Sequence, residues 1–410
     1  MDVRDFDFDL PLELIAQEPP AVRGGARLLH LRRDTGSIAH THVSALPDLL
    51  RPGDLLVVNN TRVFPARLIG RRVPSGGAVE CLLIRTIPAV DPLQTQSRPG
   101  SHPVETRSRR GGERVGTGST PDGYQVDIGC TSGGYRADTG SRPGSDAVAI
   151  RSQLWEALVH PGQKLKPGAR VVFEGIHTIH GEILERRYFG RRLVRLWTDD
   201  GSSLDEAVDA IGHMPLPPYI KRDDRLDDRD RYQTVFARAR GSIAAPTAGL
   251  HFTPQLTTAL AARGVEIADI TLHVGYGTFQ PIRVDRVEDH VLEAERYEIG
   301  ADAATAINHA RADGRRVIAV GTTTTRTLEA VARQHGGAIV AGHGQTDLFL
   351  YPGAEFQVVT GLMTNFHLPQ SSLLMLVSAF AGRDRVRSAY DAAIAERYRF
   401  YSYGDAMLIL

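Results

Sequence analysis

Paired cysteines, a net charge and a membrane-length apolar run are all missing from this chain, and each absence excludes something. Only Cys81 and Cys130 are cysteines among 410 residues, and no CxxC pair occurs. That argues against a disulfide scaffold or a cysteine-based zinc site and for a reducing compartment. Lys plus Arg and Asp plus Glu both total 48, so the formal net charge is zero. A nucleic-acid site would therefore have to be a local basic patch. No run of about 18 apolar residues is present, so no membrane-spanning helix is expected. The acidic opening Met1–Asp9 has no apolar h-region, so it does not read as a signal peptide. The expected setting is the cytoplasm. The dinucleotide fingerprint GxGxxG, the P-loop and the zinc motif HExxH are also lacking, and no metal is expected.

What is present falls into three stretches. Gly53-Asp-Leu-Leu-Val-Val-Asn-Asn60 reads as a turn leading into a short buried strand, and Val79–Ile84 as another strand. From about 88 to 150 the chain is rich in Gly, Ser, Thr, Pro and Arg, with a near-repeat at Ser97–Ser101 and Ser141–Ser145. That composition cannot build a core, so a disordered insertion is expected, either simply solvated or touching RNA through its arginines. Beyond it, Gly168–Gly175, Thr178–Leu184 and Leu193–Trp197 are short strands at the spacing of a small barrel or sandwich. After Asp200 strands and helices alternate. Thr253 caps a helix with Pro254 at its first position, and Val265–Val274 is a strand. Helices are expected over Ala301–Ala312, Thr325–Gln334, Ser371–Ala381 and Arg385–Arg399, with strands at Arg316–Val320 and Asp405–Leu410. The fold class is α/β: a large mixed-sheet α/β domain (1–70 and 200–410) and a small β-barrel domain (71–87 and 151–199) interrupted by the insertion.

Chemistry concentrates in the turns. Gly241–Thr253 and Leu272–Pro281 combine small residues, Gly-aromatic turns and His251 and His273. Small residues and glycines let a backbone approach a flat ligand, on which aromatics could stack. Gly321-Thr-Thr-Thr-Thr325 joins a buried strand to a helix whose free N–H groups suit an anion or a ribose, or it is merely a threonine-capped helix start. Asn60, Thr61, Arg62 and Arg67 at a strand end suit a polar ligand, or a turn. Thr364–Ser372 offers amide, imidazole and hydroxyl groups through Asn365, His367, Ser371 and Ser372, or serves to cap a helix. Glu185–Arg195 is the densest ordered basic run, fit for RNA if not simply a solvated hairpin.

Taken together, these segments resemble the S-adenosylmethionine:tRNA ribosyltransferase-isomerase family of queuosine biosynthesis. The matching blocks are Gly53–Gly70, Met214–Ile220, Arg231–Thr253, Ile270–Pro281, Val320–Glu329, Thr346–Gly353, Gly361–Phe380 and Arg397–Leu410. The resemblance implies an α/β domain with an inserted barrel. It also implies transfer and isomerisation of the ribosyl group of S-adenosylmethionine onto the 7-aminomethyl-7-deazaguanine wobble base of tRNA, giving epoxyqueuosine, adenine and methionine. S-adenosylmethionine would be a consumed co-substrate rather than a cofactor, tRNA the partner, and a monomer the working form. Where the family often shows Met-His-Ala-Glu, this chain has Leu292-Glu-Ala-Glu295, so the histidine is absent while Glu295 still matches. On this reading His251 and His273 are the acid/base candidates, because imidazole titrates near neutrality, with Glu295 and Asp289 as second choices. Tyr276 and Phe279 would stack on adenine or face the sulfonium, with Gly275, Gly277 and Thr278 allowing the approach. Gly321, Thr322, Thr323 and Thr324 would hold the methionine carboxylate or ribose, and Arg326 belongs to the same expected binding set. Pro246, Thr247, Ala248, Gly249, Phe252, Asn365, His367, Ser371 and Ser372 complete the expected binding set.

Overall fold

The computed structural model describes residues 1–88, 152–279 and 282–410. The segment read as an insertion lies, apart from Pro88, outside these residues. Along the chain the strands are β1 (Arg27–Leu31), β2 (Ile38–His42), β3 (Leu55–Asn59), β4 (Thr61–Val63), β5 (Arg67–Val73), β6 (Ala78–Ile87), β7 (Gln153–His160), β8 (Arg170–Phe173), β9 (Ile179–Arg186), β10 (Arg191–Thr198), β11 (Ala239–Ser242), β12 (Glu266–Leu272), β13 (Glu295–Ile299), β14 (Val317–Val320), β15 (Gly342–Thr346), β16 (Gly361–Asn365) and β17 (Ala406–Ile409). The helices are α1 (Leu46–Leu49), α2 (Leu204–Ile211), α3 (Asp228–Arg231), α4 (Pro254–Ala262), α5 (Ala301–Ala312), α6 (Thr322–Gln334), α7 (Ser372–Ala381) and α8 (Arg383–Ala395).

Nine strands form one mixed sheet in the order β15-β13-β12-β3-β14-β16-β17-β1-β2. Its centre, β12-β3-β14-β16, is parallel throughout. Parallel strands are covered on both faces, so they read as unbroken apolar runs rather than alternating ones. Leu55 and Val57 of β3 enter the core beneath α5 to α8, while Leu56 and Val58 enter the opposite core beneath α4. Val317 and Ala319 of β14 go to the first side and Ile318 and Val320 to the second. One buried carboxylate secures the parallel set. Glu329 of α6 accepts the N–H groups of Gln357, Val358 and Val359 at 2.8, 3.0 and 2.9 Å, just ahead of β16.

The helix after β14 begins at Thr322, three residues before the Thr325 expected from sequence. Gly321 makes the turn alone at φ 95°, which a residue with a Cβ rarely adopts. Thr324, Thr325 and Thr327 then turn their hydroxyls back to the carbonyls of Val320, Gly321 and Thr323. The Thr322–Thr324 main chain is thus the first turn of a helix, not a loop. Elsewhere Thr253 caps α4 through the Leu256 N–H and Ser371 caps α7 through the Leu374 N–H.

The second architecture is a closed barrel in the order β10-β7-β6-β5-β8-β9, with β9 paired back to β10. Leu68, Leu83, Trp155, Phe173, Ile183 and Val194 fill it. Closure leaves no free edge. The wall is tight at Gly70, where an added Cβ would meet the Val172 carbonyl oxygen at 2.1 Å and Phe173 Cδ1 at 2.6 Å. Main chain cannot step aside as a flexible side chain would. Gly70→Ala should therefore cost about 1–3 kcal/mol, as overpacking does, read as a lowered urea midpoint at unchanged slope.

Candidate active site

The carboxyl ends of the parallel strands place the functional groups, as open α/β sheets generally do. At the end of β3, Asn59 donates to the Leu272 carbonyl at 2.9 Å and accepts the Thr61 and Leu272 N–H groups at 3.1 Å each. Asn60 donates to Asp269 at 2.6 Å and accepts the Thr271 hydroxyl at 2.7 Å. These amides lock β3 to β12. The lock sets Thr61, whose hydroxyl lies 2.9 Å from Nδ1 of His273. The imidazole packs flat on Gly241, where a Cβ would come within 2.8 Å of the ring.

Two cavities open at this edge and share Val274 as a wall. The first, the more enclosed of the two, is about 260 Å³, lined by Thr247, Ala248, Gly321, Thr322, Thr323, Asn365, His367, Ser371, Tyr219 and Tyr401. It lies just below the roughly 300–1,000 Å³ of sites for whole drug-sized ligands. Into it open the first N–H groups of α6, which has no side-chain cap; these carry partial positive charge. The hydroxyls of Thr323 and Tyr401 are both buried and without a partner. A buried hydroxyl left unpaired is costly, and both residues line this cavity. His367 Nε2 lies 2.8 Å from the Thr364 hydroxyl. Burial pushes the His367 imidazole down to about 3, so it is neutral at pH 7.

The second cavity is an open cleft of about 900 Å³ between the sheet edge and the barrel. His273, Gly275, Gly277, Leu292, Glu293, Glu295, Arg296 and Arg326 line one side; Arg85, Glu156, Glu185, Arg186, Arg187 and Arg191 line the other. Burial, and then the nearby Arg296 guanidinium, lower the His273 imidazole. Arg191 of the barrel is paired with Glu293 across the cleft and lies 3.5 Å from Glu156. At the base, Glu295 pairs with Arg326 of α6, each side chain 5% exposed. The other oxygen of Glu295 accepts the Gly275 N–H at 2.9 Å. Helix α6 therefore serves both cavities, through Thr322 and Thr323 in one and Arg326 in the other.

A family model described as queuosine biosynthesis protein matches residues 3–117 and 133–409. The chain belongs to that family. A relative from Desulfitobacterium hafniense named S-adenosylmethionine:tRNA ribosyltransferase-isomerase is 45% identical over 410 residues, with all of both chains covered. One of the same name from Geobacter sulfurreducens is also 45% identical at full coverage of both. A solved structure from Thermotoga maritima, described as S-adenosylmethionine tRNA ribosyltransferase, is 32% identical over 99% of this chain and 100% of its own, with a TM-score of 0.48.

In this queuosine-biosynthesis protein the expected residues divide. Pro246, Thr247, Ala248, Gly321, Thr322, Thr323, Asn365, His367 and Ser371 meet in the enclosed cavity; His273, Gly275, Gly277, Glu295 and Arg326 meet in the cleft. His251 lines neither. It lies behind the enclosed cavity, its Nε2 bridged by the Asn365 amide at 3.1 Å, and burial pushes it down to about 4. Tyr276 packs against the barrel core and faces a third cavity beside Arg67, Glu80 and the Met214–Pro218 strut. Arg67 is bound to Glu80 at 2.8 Å. Phe252 and Gly249 are buried, Phe252 edge-on to Phe236. Thr324 is fully buried, Ser372 opens α7, and Arg62 and Asp289 are exposed. The Thr278 and Phe279 side chains lie outside the described set. Among the described residues, no three His, Cys, Asp or Glu side chains group as metal ligands. Sequence reasoning missed Tyr219, Tyr401, Glu293 and Arg191 as lining residues. Arg191 lay in the basic run already singled out; Tyr401 carried no local signal beyond its place in a matching block.

Two outcomes follow from these environments. His251 and His367 stay neutral in the fold down to about pH 4 and 3, whereas in the unfolded chain they charge near pH 6.5. The unfolded state therefore binds more protons below 6.5, and stability falls with falling pH by up to about 1.4 kcal/mol per unit for each. His251→Asn and His367→Asn should each flatten the dependence of urea stability on pH between 4.5 and 6.5. Arg326→Met, which removes one partner of a buried ion pair, should cost about 3–5 kcal/mol in the same assay.

Proposed function

We propose that the two cavities divide one reaction between them: the enclosed cavity takes the methionyl-nucleoside end of S-adenosylmethionine, and the cleft takes the tRNA wobble base. As a member of its family the chain is an S-adenosylmethionine:tRNA ribosyltransferase-isomerase. It moves the ribosyl group of S-adenosylmethionine onto the 7-aminomethyl-7-deazaguanine base and rearranges it to the epoxide of epoxyqueuosine, releasing adenine and methionine. The observation that carries the division is the shared Val274 wall. A small site with an open helix N-terminus and unpaired hydroxyls adjoins a wide cleft rich in guanidinium groups.

The sulfonium acidifies the neighbouring 5′-methylene, and His273, at the rim of the cleft, is placed to remove that proton. Thr61 fixes its ring by bonding Nδ1. In the enclosed cavity the α6 N–H groups and Thr323 meet the methionine carboxylate or the ribose hydroxyls. Neutral His367 exchanges a hydrogen bond with the departing adenine. His251 acts through Asn365 and is a positioning residue, and Glu295 positions Gly275 and Arg326. Arg186 and Arg296 line the cleft where backbone phosphates would enter. S-adenosylmethionine is consumed, no resident cofactor is required, and the enzyme works as a monomer in the cytoplasm. Among the described residues no helix is long and apolar enough to cross a membrane.

The test is adenine release from saturating S-adenosylmethionine in the presence of tRNA carrying the 7-aminomethyl-7-deazaguanine base. His273→Gln should lower kcat by about 10²–10⁴, the usual worth of a proton-transfer group, and His367→Gln, which removes a hydrogen bond to the leaving adenine, should lower it by about tenfold, the worth of a hydrogen bond of roughly 1.4 kcal/mol. His251→Gln should act mainly on KM. Near-wild-type kcat in both of the first two variants would defeat the assignment.

A further inference from the structure

At the opposite edge of the sheet, away from both cavities of the site, five arginines surround one open pocket of about 740 Å³. Arg51 precedes β3, Arg316 precedes β14, Arg32 and Arg33 follow β1, and Arg385 lies in the first turn of α8. Two of the five are neutralised: Arg32 pairs with Asp34 at 2.8 Å, and Arg316 forks onto Asp54. Arg33, Arg51 and Arg385 make no ion pair with any side-chain or terminal carboxylate among the described residues. The Arg33 guanidinium instead lies over the Phe380 ring, 4.3 Å from its centre. Burial, and then Arg385, lower its affinity for its proton.

Three guanidinium groups without a carboxylate partner around one pocket repel each other, and in a chain of zero net charge nothing requires such a cluster. One further feature supplies donors to the same place. Helix α8, of 13 residues, follows Gly382 on the pocket wall and has no side-chain cap, so its first N–H groups are open. His30 also lines the pocket. Flat forked cations beside an uncapped helix start are the donor set that recognises a phosphate.

We propose that this pocket is a second, non-catalytic binding site for a phosphate group. The group belongs either to the sugar-phosphate backbone of the tRNA or to a free phosphorylated compound. Only the tRNA source rests on the function proposed above. The parallel strands of four to seven residues separate pocket from active-site edge by roughly 13–23 Å at about 3.3 Å per residue. Occupancy therefore adds affinity without touching the reacting atoms.

The test uses the full chain with Arg33→Gln/Arg51→Gln/Arg385→Gln, and the milder pair Arg51→Gln/Arg385→Gln, whose side chains are exposed and should leave folding intact. Two quantities are read: heat of binding of inorganic pyrophosphate, and tRNA dissociation constants across a salt series. If the backbone is the source, tRNA binding should weaken about tenfold or more, and the slope of log K against log salt should shrink by about 0.7–0.9 per lost contact. If a free compound is the source, pyrophosphate binding should disappear with the tRNA series unchanged. Wild-type protein that binds no pyrophosphate, together with a tRNA series identical in all three proteins, would overturn the site. So would a loss of adenine release in the pair at saturating substrates. Failure of the proposed reaction would show instead as no adenine release by the wild type, with these binding readouts intact.

Discussion

The buried pair of Glu295 and Arg326 is the contact on which the site depends. Each side chain is almost wholly withdrawn from water, so neither charge could stand there alone. The pair joins the start of β13 to the second turn of α6, and the spare carboxylate oxygen reaches the Gly275 main chain. Three segments distant in sequence are thereby held in one arrangement: a sheet edge, the helix that feeds both cavities, and the turn that follows β12. Replacing such a pair by apolar groups is often neutral for stability. Its value here is geometric, since it sets where Thr322 and Thr323 stand relative to His273.

The division of labour between the cavities follows from the same frame. Strands that end together deliver their following residues to one edge, so His273, Gly321 and His367 arrive there from three different loops. The asparagines after β3 are part of this frame rather than of the ligand surface. Every polar atom of the Asn59 side chain is spent on β12, and Asn60 is bound to Asp269 and Thr271. What reaches the cleft from this loop is transmitted through Thr61 to one imidazole.

Much of this was legible in the sequence where physics acts locally. Thr253 followed by Pro254, and Ser371 ahead of an apolar run, marked helix starts that the structure keeps, and Leu55–Val58 declared a short buried strand. Strands β13, β15 and β16 were not legible. β15 is Gly-His-Gly-Gln-Thr, with no apolar alternation, and exists because Glu295–Ile299 pairs with it at the sheet margin. The site was legible as a set of residues but not as a geometry. His251 and Tyr276 sit in the same motifs as true lining residues, yet a one-residue difference along a turn sends a side chain into the core or toward the barrel. Burial depth decides whether an imidazole can reach a ligand, and burial is a long-range property.

The barrel has a further consequence. Its ladder closes on itself, and the chain leaves at Ile87 and returns at Leu154, which are direct partners across β6 and β7. Exit and re-entry are thus clamped side by side by the host, whatever the connecting segment does. Joining two fixed points costs only about 0.6 kcal/mol more for each doubling of the intervening length. That hairpin mouth is a natural port: a fluorescent reporter or an affinity handle spliced there would ride on the protein without stretching its scaffold.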